Sequence, residues 1–355
     1  MELFFPETRE PKKTLLLVRT DGIGDFVFFS RYLKSIREKY ADYLIVLVCR
    51  RETAELARHN PILDSVLGFR FLAYRWNYLY RIGVLRRIRS LKPELAVYCS
   101  YHRQHIGDEM TLLSGARQTI AMSGNDECIH PSVRKRNNSI FGRIVGVEDH
   151  VHERQRYKTL LGNLGMDGID FPNEMMIPVP EVAKGDIPPK PYIVLSPGAS
   201  NRLKLWPQES YAQLAEWIHR DLNLQVVLCG DSAAKNTMNQ IAAQMKQKPI
   251  VMSSWPLTRV AGMIKHARAF VGNDSGLLHL ASSFEVPAVG IVYGGHFSRY
   301  FPYGRTRVVT NKLPCFECNS VCIYERPFCV TDVTVETVME EVRAVLGDPS
   351  RARRP

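Results

Sequence analysis

The feature that most restricts what this chain can fold into is an alternation of short apolar runs with amphipathic segments, kept up along most of its length. Thr14–Arg19, Tyr43–Cys49 and Glu94–Ser100 read as buried strands. Phe26–Tyr40, Glu52–His59 and Glu153–Leu164 carry charge on one side at helical spacing. Further on, strand-like runs recur at Tyr192–Ser196, Gln225–Cys229, Ala269–Val271 and Ala288–Tyr293. Helical segments over Gln208–Arg220, from Gly230-Asp231-Ser232 to Lys246, and over Leu277–Phe284 separate them. Strands that alternate with helices build parallel sheets covered on both faces, so the expected class is α/β. Two stretches break the pattern: Tyr101–Asp108 reads as polar, and Arg117–Asp149 as basic, strand-poor and loop-like. No internal sequence repeat is visible.

The link from Phe171 to Pro191 contains Pro172, Pro178, Pro180, Pro188, Pro189 and Pro191. Proline fixes φ and removes a donor, which disfavours both helix and central strand and marks a domain boundary. A chain of 355 residues has room for two domains. The expectation is two Rossmann-like domains, 1–180 and 181–334, facing a cleft. A final amphipathic helix, Val335–Leu346, and a basic tail complete the chain over 335–355.

Composition narrows the classes. Hydrophobic residues make up 45% and charged residues 23%, as in proteins with ordinary cores. No apolar run approaches the roughly 18–20 residues that cross a bilayer. The first ten residues carry early acids and no apolar h-region, so they do not read as a secretory signal, and the expected compartment is the cytoplasm. A net charge of +11 attracts phosphates of any kind, whether nucleic acid, anionic lipid or phosphorylated glycan. The denser basic zones are Arg81–Lys92, Arg134–Arg143 and Arg351–Arg354; each also reads simply as a solvated face or an end.

Between the first strand and helix lies Thr20-Asp21-Gly22-Ile23-Gly24-Asp25. A strand, a Gly-x-Gly turn and a helix together form an anion site, because backbone N–H groups and the helix dipole converge there. A nicotinamide enzyme would need a third small residue where Val27 stands, and an acid after the second strand where Cys49-Arg50-Arg51 stands. What the turn supplies is Asp25. It reads either as a first-turn acid favoured by the dipole or as a base for an acceptor hydroxyl.

Three loops follow three strands of the second half, and in an open α/β sheet such loops converge at the carboxyl edge. The first, Ser196–Pro207, places Ser200, Arg202 and Lys204 where they could hold a diphosphate, or is an ordinary long loop. The second, Gly230-Asp231-Ser232, reads as a nucleotide-edge loop or a helix cap. The third, Gly272-Asn273-Asp274-Ser275-Gly276-Leu277-Leu278-His279, allows close backbone approach to a phosphate at the helix start. Asp274 would bind sugar hydroxyls there, and His279 reads equally as a core histidine or a ligand.

These blocks resemble glycosyltransferase family 9, the ADP-heptose:lipopolysaccharide heptosyltransferases. The matching segments are Leu16–Asp25, Ser196–Pro207, Gly272–Ala281, and Val286–Ile291 with Pro302-Tyr303-Gly304; His152-Glu153-Arg154 is similar as well. The resemblance implies a GT-B fold, a final helix that crosses back to the N-terminal domain, and inverting, metal-independent transfer with no catalytic cofactor. It places Asp25 at the catalytic base and Lys204 at the phosphate-contacting lysine. Asp274, Ser275 and Gly276 fall on the family's donor-binding turn; Gly22, Gly24, Ser200, Arg202, Gly230, Asp231 and His279, read from the loops themselves, are expected around the same donor. The implied partners are a nucleotide sugar, ADP-heptose, and a lipid-linked or phosphorylated glycan, with contact at the inner face of a membrane and no nucleic acid. Two segments depart from the family pattern: Phe26-Val27-Phe28-Phe29 puts bulky aromatics directly after Asp25, and Gly294-Gly295-His296 replaces a more usual Gly-Pro-Thr type of turn.

Two features stand outside that set. Cys315, Cys318, Cys322 and Cys329 read as a structural zinc or iron clip, as reduced thiols or as a disulfide, whereas Cys49, Cys99, Cys128 and Cys229 are isolated. Phe69–Leu91 interleaves aromatics with arginines, which suits an interfacial lipid-glycan acceptor or a helix packed on the sheet. Two rival functions remain at this stage: an epimerase-like enzyme of the same fold, and a non-enzymatic protein that binds anionic glycan or membrane surfaces.

Overall fold

The computed structural model describes residues 13–168, 177–179, 187–301 and 304–347. They form two six-stranded, all-parallel sheets. The first contains β1 (Thr14–Val18), β2 (Leu44–Arg50), β3 (Ser65–Phe69), β4 (Leu95–Tyr98), β5 (Gln118–Met122) and β6 (Arg143–Val145), in the order β3-β2-β1-β4-β5-β6. The second contains β7 (Tyr192–Ser196), β8 (Gln225–Gly230), β9 (Ile250–Ser253), β10 (Ala269–Asn273), β11 (Ala288–Ile291) and β12 (Thr306–Val309), in the order β12-β11-β10-β7-β8-β9. Counted from its own first strand, each sheet has the same doubly wound order. The repeat that sequence comparison within the chain does not reveal is therefore present in the topology.

Central strands lie between two helical layers and read as unbroken apolar runs for that reason. Leu15, Leu16, Leu17 and Val18 on β1 and Ile193, Val194 and Leu195 on β7 are each 0–1% exposed. In the second core the helix Gln208–Leu222 contributes Tyr211, Leu214, Ala215 and Ile218, spaced i, i+3, i+4 and i+7. That helix ends on Asn223, whose φ of 52° is the left-handed conformation a C-terminal stop uses. Each fully buried Leu or Ile of this core stabilises the fold by about 1.5–3 kcal/mol.

The chain divides into two compact units, but not at one point. The first includes Tyr32–Asp149, and the second takes in Ile23–Arg31 and His150–Glu153 as well as everything from β7 onward. The expected junction at 180/181 lies outside the described residues, as do Pro302 and Tyr303. The final helix, Val335–Gly347, buries Val335, Val338 and Val342 in the second core and belongs to that unit. The segments assigned across the sequence boundary are Ile23–Arg31 and His150–Glu153.

Other expectations need revision. The helix read as Phe26–Tyr40 is two helices, Ile23–Ser30 and Leu33–Lys39. The polar stretch after β4 runs into a helix at His105–Leu112. The supposed loop Arg117–Asp149 contains β5, the helix Pro131–Asn138 and β6. Its strands are three and five residues long and its helix is largely exposed, so neither gave a periodic apolar signal.

Candidate functional site

In the second unit the strand order reverses between β7 and β10, and the loops after both strands meet there. Asn273, fully buried at the end of β10, holds the two loops together. Its amide Nδ2 donates to the Pro197 carbonyl (2.8 Å), and its Oδ1 accepts from the Trp206 backbone N–H (3.2 Å) and the Tyr211 hydroxyl (3.1 Å). Asn201 caps the single turn Arg202–Lys204 by accepting from the Leu203 N–H at 3.0 Å. Lys204 is thereby aimed at the other loop: its Nζ lies 2.7 Å from Asp274 Oδ2 and 4.9 Å from the centre of the Tyr293 ring. Asp274 also faces His279 Nε2 at 3.7 Å. Burial would raise the Asp274 carboxyl, but the Lys204 ammonium and the His279 ring outweigh it and hold that carboxyl well below the usual carboxylate range. The hydroxyl of Ser275, at the start of the helix Gly276–Ser283, is buried without a hydrogen-bond partner.

From His279 the polar groups continue to Asp25. The His279 ring stacks on Phe301 (centroids 5.8 Å, 22°) and meets Tyr300 edge-on at 5.1 Å. Tyr300 donates its hydroxyl to Asp25 Oδ1, and Arg299 Nη2 lies 3.1 Å from the same oxygen. Arg299 Nε lies 2.9 Å from Glu153, whose side chain is 3% exposed. The guanidinium is thus shared by two carboxylates. Burial works against its charge, yet the anionic groups around it lift its pKa well above the ordinary arginine value. Burial likewise keeps the Tyr300 phenol protonated, with Arg299 opposing and Asp25 and Glu153 reinforcing.

Two glycines make this arrangement compact. A Cβ on Gly24 would come 2.5 Å from His279 Cδ2, and a Cβ on Gly276 would come 2.9 Å from that of Ile23. The helices Ile23–Ser30 and Gly276–Ser283 approach closely because both turns lack side chains.

The sequence-derived residues therefore fall into groups. Asp25, Gly24, Lys204, Asp274, Ser275, Gly276 and His279 converge in the second unit. Ser200 and Arg202 lie exposed on the Lys204 loop. Asp231 caps the turn that follows β8, accepting from the Ala234 N–H at 3.0 Å, and a Cβ on Gly230 would sit 2.8 Å from that of Ala234, so both positions are explained by local structure. Gly22 closes the first segment of the first unit before the chain enters the second. Arg299 and Tyr300 were not foreseen, because four residues of helix carry no pattern and their partners lie far away in the chain. Glu153 and Asn273 stood inside recognised blocks, but their contacts are set only by the tertiary fold.

The cysteine loop does not form the metal clip. Among the described residues no group of three or more His, Cys, Asp or Glu is placed to hold a metal ion. Cys329 Sγ instead accepts from the Gly294 N–H at 3.4 Å. Burial, and then the neighbouring thiols, push Cys318 up; Cys329 is raised by burial and by the other three. The four groups feel one another but do not converge as ligands, and all four are free thiols here.

Two parallel sheets of one doubly wound order, with a lysine loop and a Gly-flanked acidic turn meeting at the second switch point, form the GT-B fold. Residues 164–325 match the family "Glycosyltransferase family 9 (heptosyltransferase)". Lipopolysaccharide heptosyltransferase 1 of Pseudomonas aeruginosa is 24% identical over 368 residues, covering 96% of this chain and 99% of the relative. The chain resembles glycosyltransferase family 9 along most of its length. The solved family 9 glycosyltransferase from Veillonella parvula DSM 2008 has the same fold, with a TM-score of 0.74 at 17% identity, covering 96% of this chain and 99% of that one. E. coli ADP-heptose LPS heptosyltransferase II gives 0.71 at 20% identity, covering 95% and 99%.

Proposed function

We propose that the chain is an inverting glycosyltransferase that transfers heptose from ADP-heptose to a lipopolysaccharide-core or related lipid-linked, phosphorylated glycan. The observation that carries this reading is the unbroken set of contacts from Lys204 and Asp274 through His279 to Tyr300, Asp25 and Arg299, all within one compact unit. The family match, which includes a relative aligned over its whole length, supports the donor and acceptor classes.

In this mechanism Asp25 takes the proton of an acceptor hydroxyl as the oxygen forms its bond to the anomeric carbon. The bond from that carbon to the diphosphate breaks on the opposite face. Lys204 and the N–H groups of Ser275 and Gly276 meet the negative charge that gathers on the departing diphosphate. Ser200 and Arg202 on the same loop extend that cradle, Asp274 and His279 contact sugar hydroxyls, and Gly22 and Gly24 let the substrate approach the turn. Arg299 and Tyr300 position Asp25. The aromatic wall Phe26–Phe29 is buried rather than open to an acceptor, so it shapes the helix that carries Asp25. No step is routed through the cysteine loop. The reaction is proposed to occur at the inner face of a membrane, and among the described residues no helix is long and apolar enough to cross one.

A panel of nucleotide sugars screened by thermal shift tests the donor. ADP-heptose should raise the unfolding temperature, since a ligand at one hundred times its Kd stabilises by about 2.7 kcal/mol. No stabilisation by any nucleotide sugar would overturn the reading, and donor turnover without glycan would favour an epimerase-like enzyme.

A further inference from the structure

We infer that the outer face of two successive helices in the first unit, Phe71–Trp76 and Tyr78–Ser90, docks the protein on an anionic lipid bilayer. The inner face of this pair is ordinary core: Tyr74 and Ile88 are buried, with Phe71, Tyr80, Val84, Leu85 and Leu91 packed beside them. Asn77 joins the helices and caps the second, accepting from the Tyr80 N–H at 2.9 Å. The outer face has no such partners. Leu72 is 67% exposed, Trp76 74%, Tyr78 72% and Leu79 80%, four large apolar side chains within eight residues. A contiguous exposed apolar patch of this kind marks an interaction site.

Charge selects the occupant. No Asp or Glu occurs between Asp64 and Glu94, while Arg70, Arg75, Arg86, Arg87, Arg89 and Lys92 are all exposed. Among the described residues only one cation of the segment, Arg81, is engaged by a carboxylate, that of Glu109. The outer face of the first helix presents Leu72, Arg75 and Trp76, spaced i, i+3, i+4. That of the second presents Leu79, Gly83, Arg86 and Ser90, spaced i, i+4, i+7, i+11. Apolar groups therefore cluster at the junction, with arginines following along the second helix. A second copy meeting this face about a two-fold axis would set arginine against arginine. Nucleic acid would accept the arginines and stack on the aromatics, but it offers nothing to Leu72 and Leu79. An anionic bilayer serves all of them: aliphatic side chains enter the acyl boundary, Trp and Tyr sit at head-group level, and arginines pair with lipid phosphates. A lipid-borne acceptor would be met on such a surface, yet the inference rests on this face alone and stands independently of the donor site.

The test is co-sedimentation of the full chain with vesicles of phosphatidylcholine alone and of phosphatidylcholine with phosphatidylglycerol. Binding should be at least about ten-fold tighter to the anionic vesicles and should weaken as salt is added. Both W76A/L79A and R86E/R87E should lose that binding by about ten-fold or more, the first through lost insertion and the second through lost attraction. Their unfolding temperatures and any donor-induced shift should match the parent, because all four side chains are exposed. The inference is overturned if the parent ignores anionic vesicles or if both variants bind as the parent does. It is also overturned if the same substitutions abolish instead a dimer seen by light scattering, or tighter binding to duplex DNA.

Discussion

The two sheets share one strand order, yet their carboxyl edges are filled in opposite ways. At the first edge two buried arginines are consumed by the chain itself. Arg19, 1% exposed, donates to the Cys99 carbonyl at 2.9 Å and the Tyr157 hydroxyl at 2.6 Å and pairs with Asp21. Arg103 and Asp108, both fully buried, form a two-pronged pair at 2.7 and 2.6 Å, and Asn137 donates to the same carboxylate. In the second unit the ions retain access: Lys204 is 20% exposed, Asp25 24% and Arg299 20%. Topology provides a crevice in both sheets, but the buried Arg19 and Arg103 pairs leave no charge for a substrate, whereas Lys204, Asp25 and Arg299 do. A basic loop is therefore weak evidence of a site until its partners are known.

The strongest way to break this comparison is Asp25→Asn. Turnover should fall by about 10²–10⁴, the usual worth of a positioned acid or base, while the donor still raises the unfolding temperature. Retained turnover with intact donor binding would remove Asp25 from the mechanism. At the first edge Arg103→Ala should act on the fold instead. It strands Asp108 in the interior, a loss of about 3–5 kcal/mol that chemical denaturation would read. If the variant kept its stability but lost the donor-induced shift, the first edge would be a binding site and the contrast would fail.

The strands with long apolar runs were legible because burial on both faces removes the ambiguity between strand and loop, and β7 was read to the residue. The edge strands β3, β6, β9 and β12 were not, since half-exposed residues such as Ser65 and Arg143 interrupt the pattern. Of the site, the groups next to glycine turns were legible: Asp25, Lys204 and the Asp274–Gly276 turn. Arg299 and Tyr300 were not, because what marks them is a partner 274 or 275 positions away. The assignment of Ile23–Arg31 to the second unit was equally invisible; it depends on two missing side chains, at Gly24 and Gly276, whose purpose appears only when the helices meet.

Gly24→Ala sharpens that point. The new methyl would collide with His279, and overpacking of this kind costs about 1–3 kcal/mol. Both stability and turnover should drop, since His279 links the Asp274 and Tyr300 ends of the site. Gly83→Ala is the matched control in the first unit. Nothing lies within 4 Å of its Cβ, so helix propensity should raise stability by about 0.5–1 kcal/mol. Equal outcomes for the two substitutions would mean that the close approach at Gly24 is not demanded by the fold.

The smallest effect concerns acid stability and isolates the Lys204–Asp274 pair. In the folded state the Asp274 carboxyl is held below its unfolded value, which is about 3.9. A depressed carboxyl contributes stability that is complete above the unfolded pKa and is lost as pH falls toward the folded one. Between about pH 4 and the lower folded value, the unfolded chain binds a proton at Asp274 that the folded chain does not. Unfolding free energy should therefore decline with acidification in that window, by at most about 1.4 kcal/mol per pH unit from this one group. Lys204→Gln removes the ammonium that opposes burial, so the folded carboxyl rises and this part of the slope should flatten. Denaturant titrations of the parent and variant at several acidic pH values measure the difference directly. An unchanged slope would show that His279 alone holds Asp274 ionised, and would shift the centre of the electrostatic contrast from the lysine loop to the histidine.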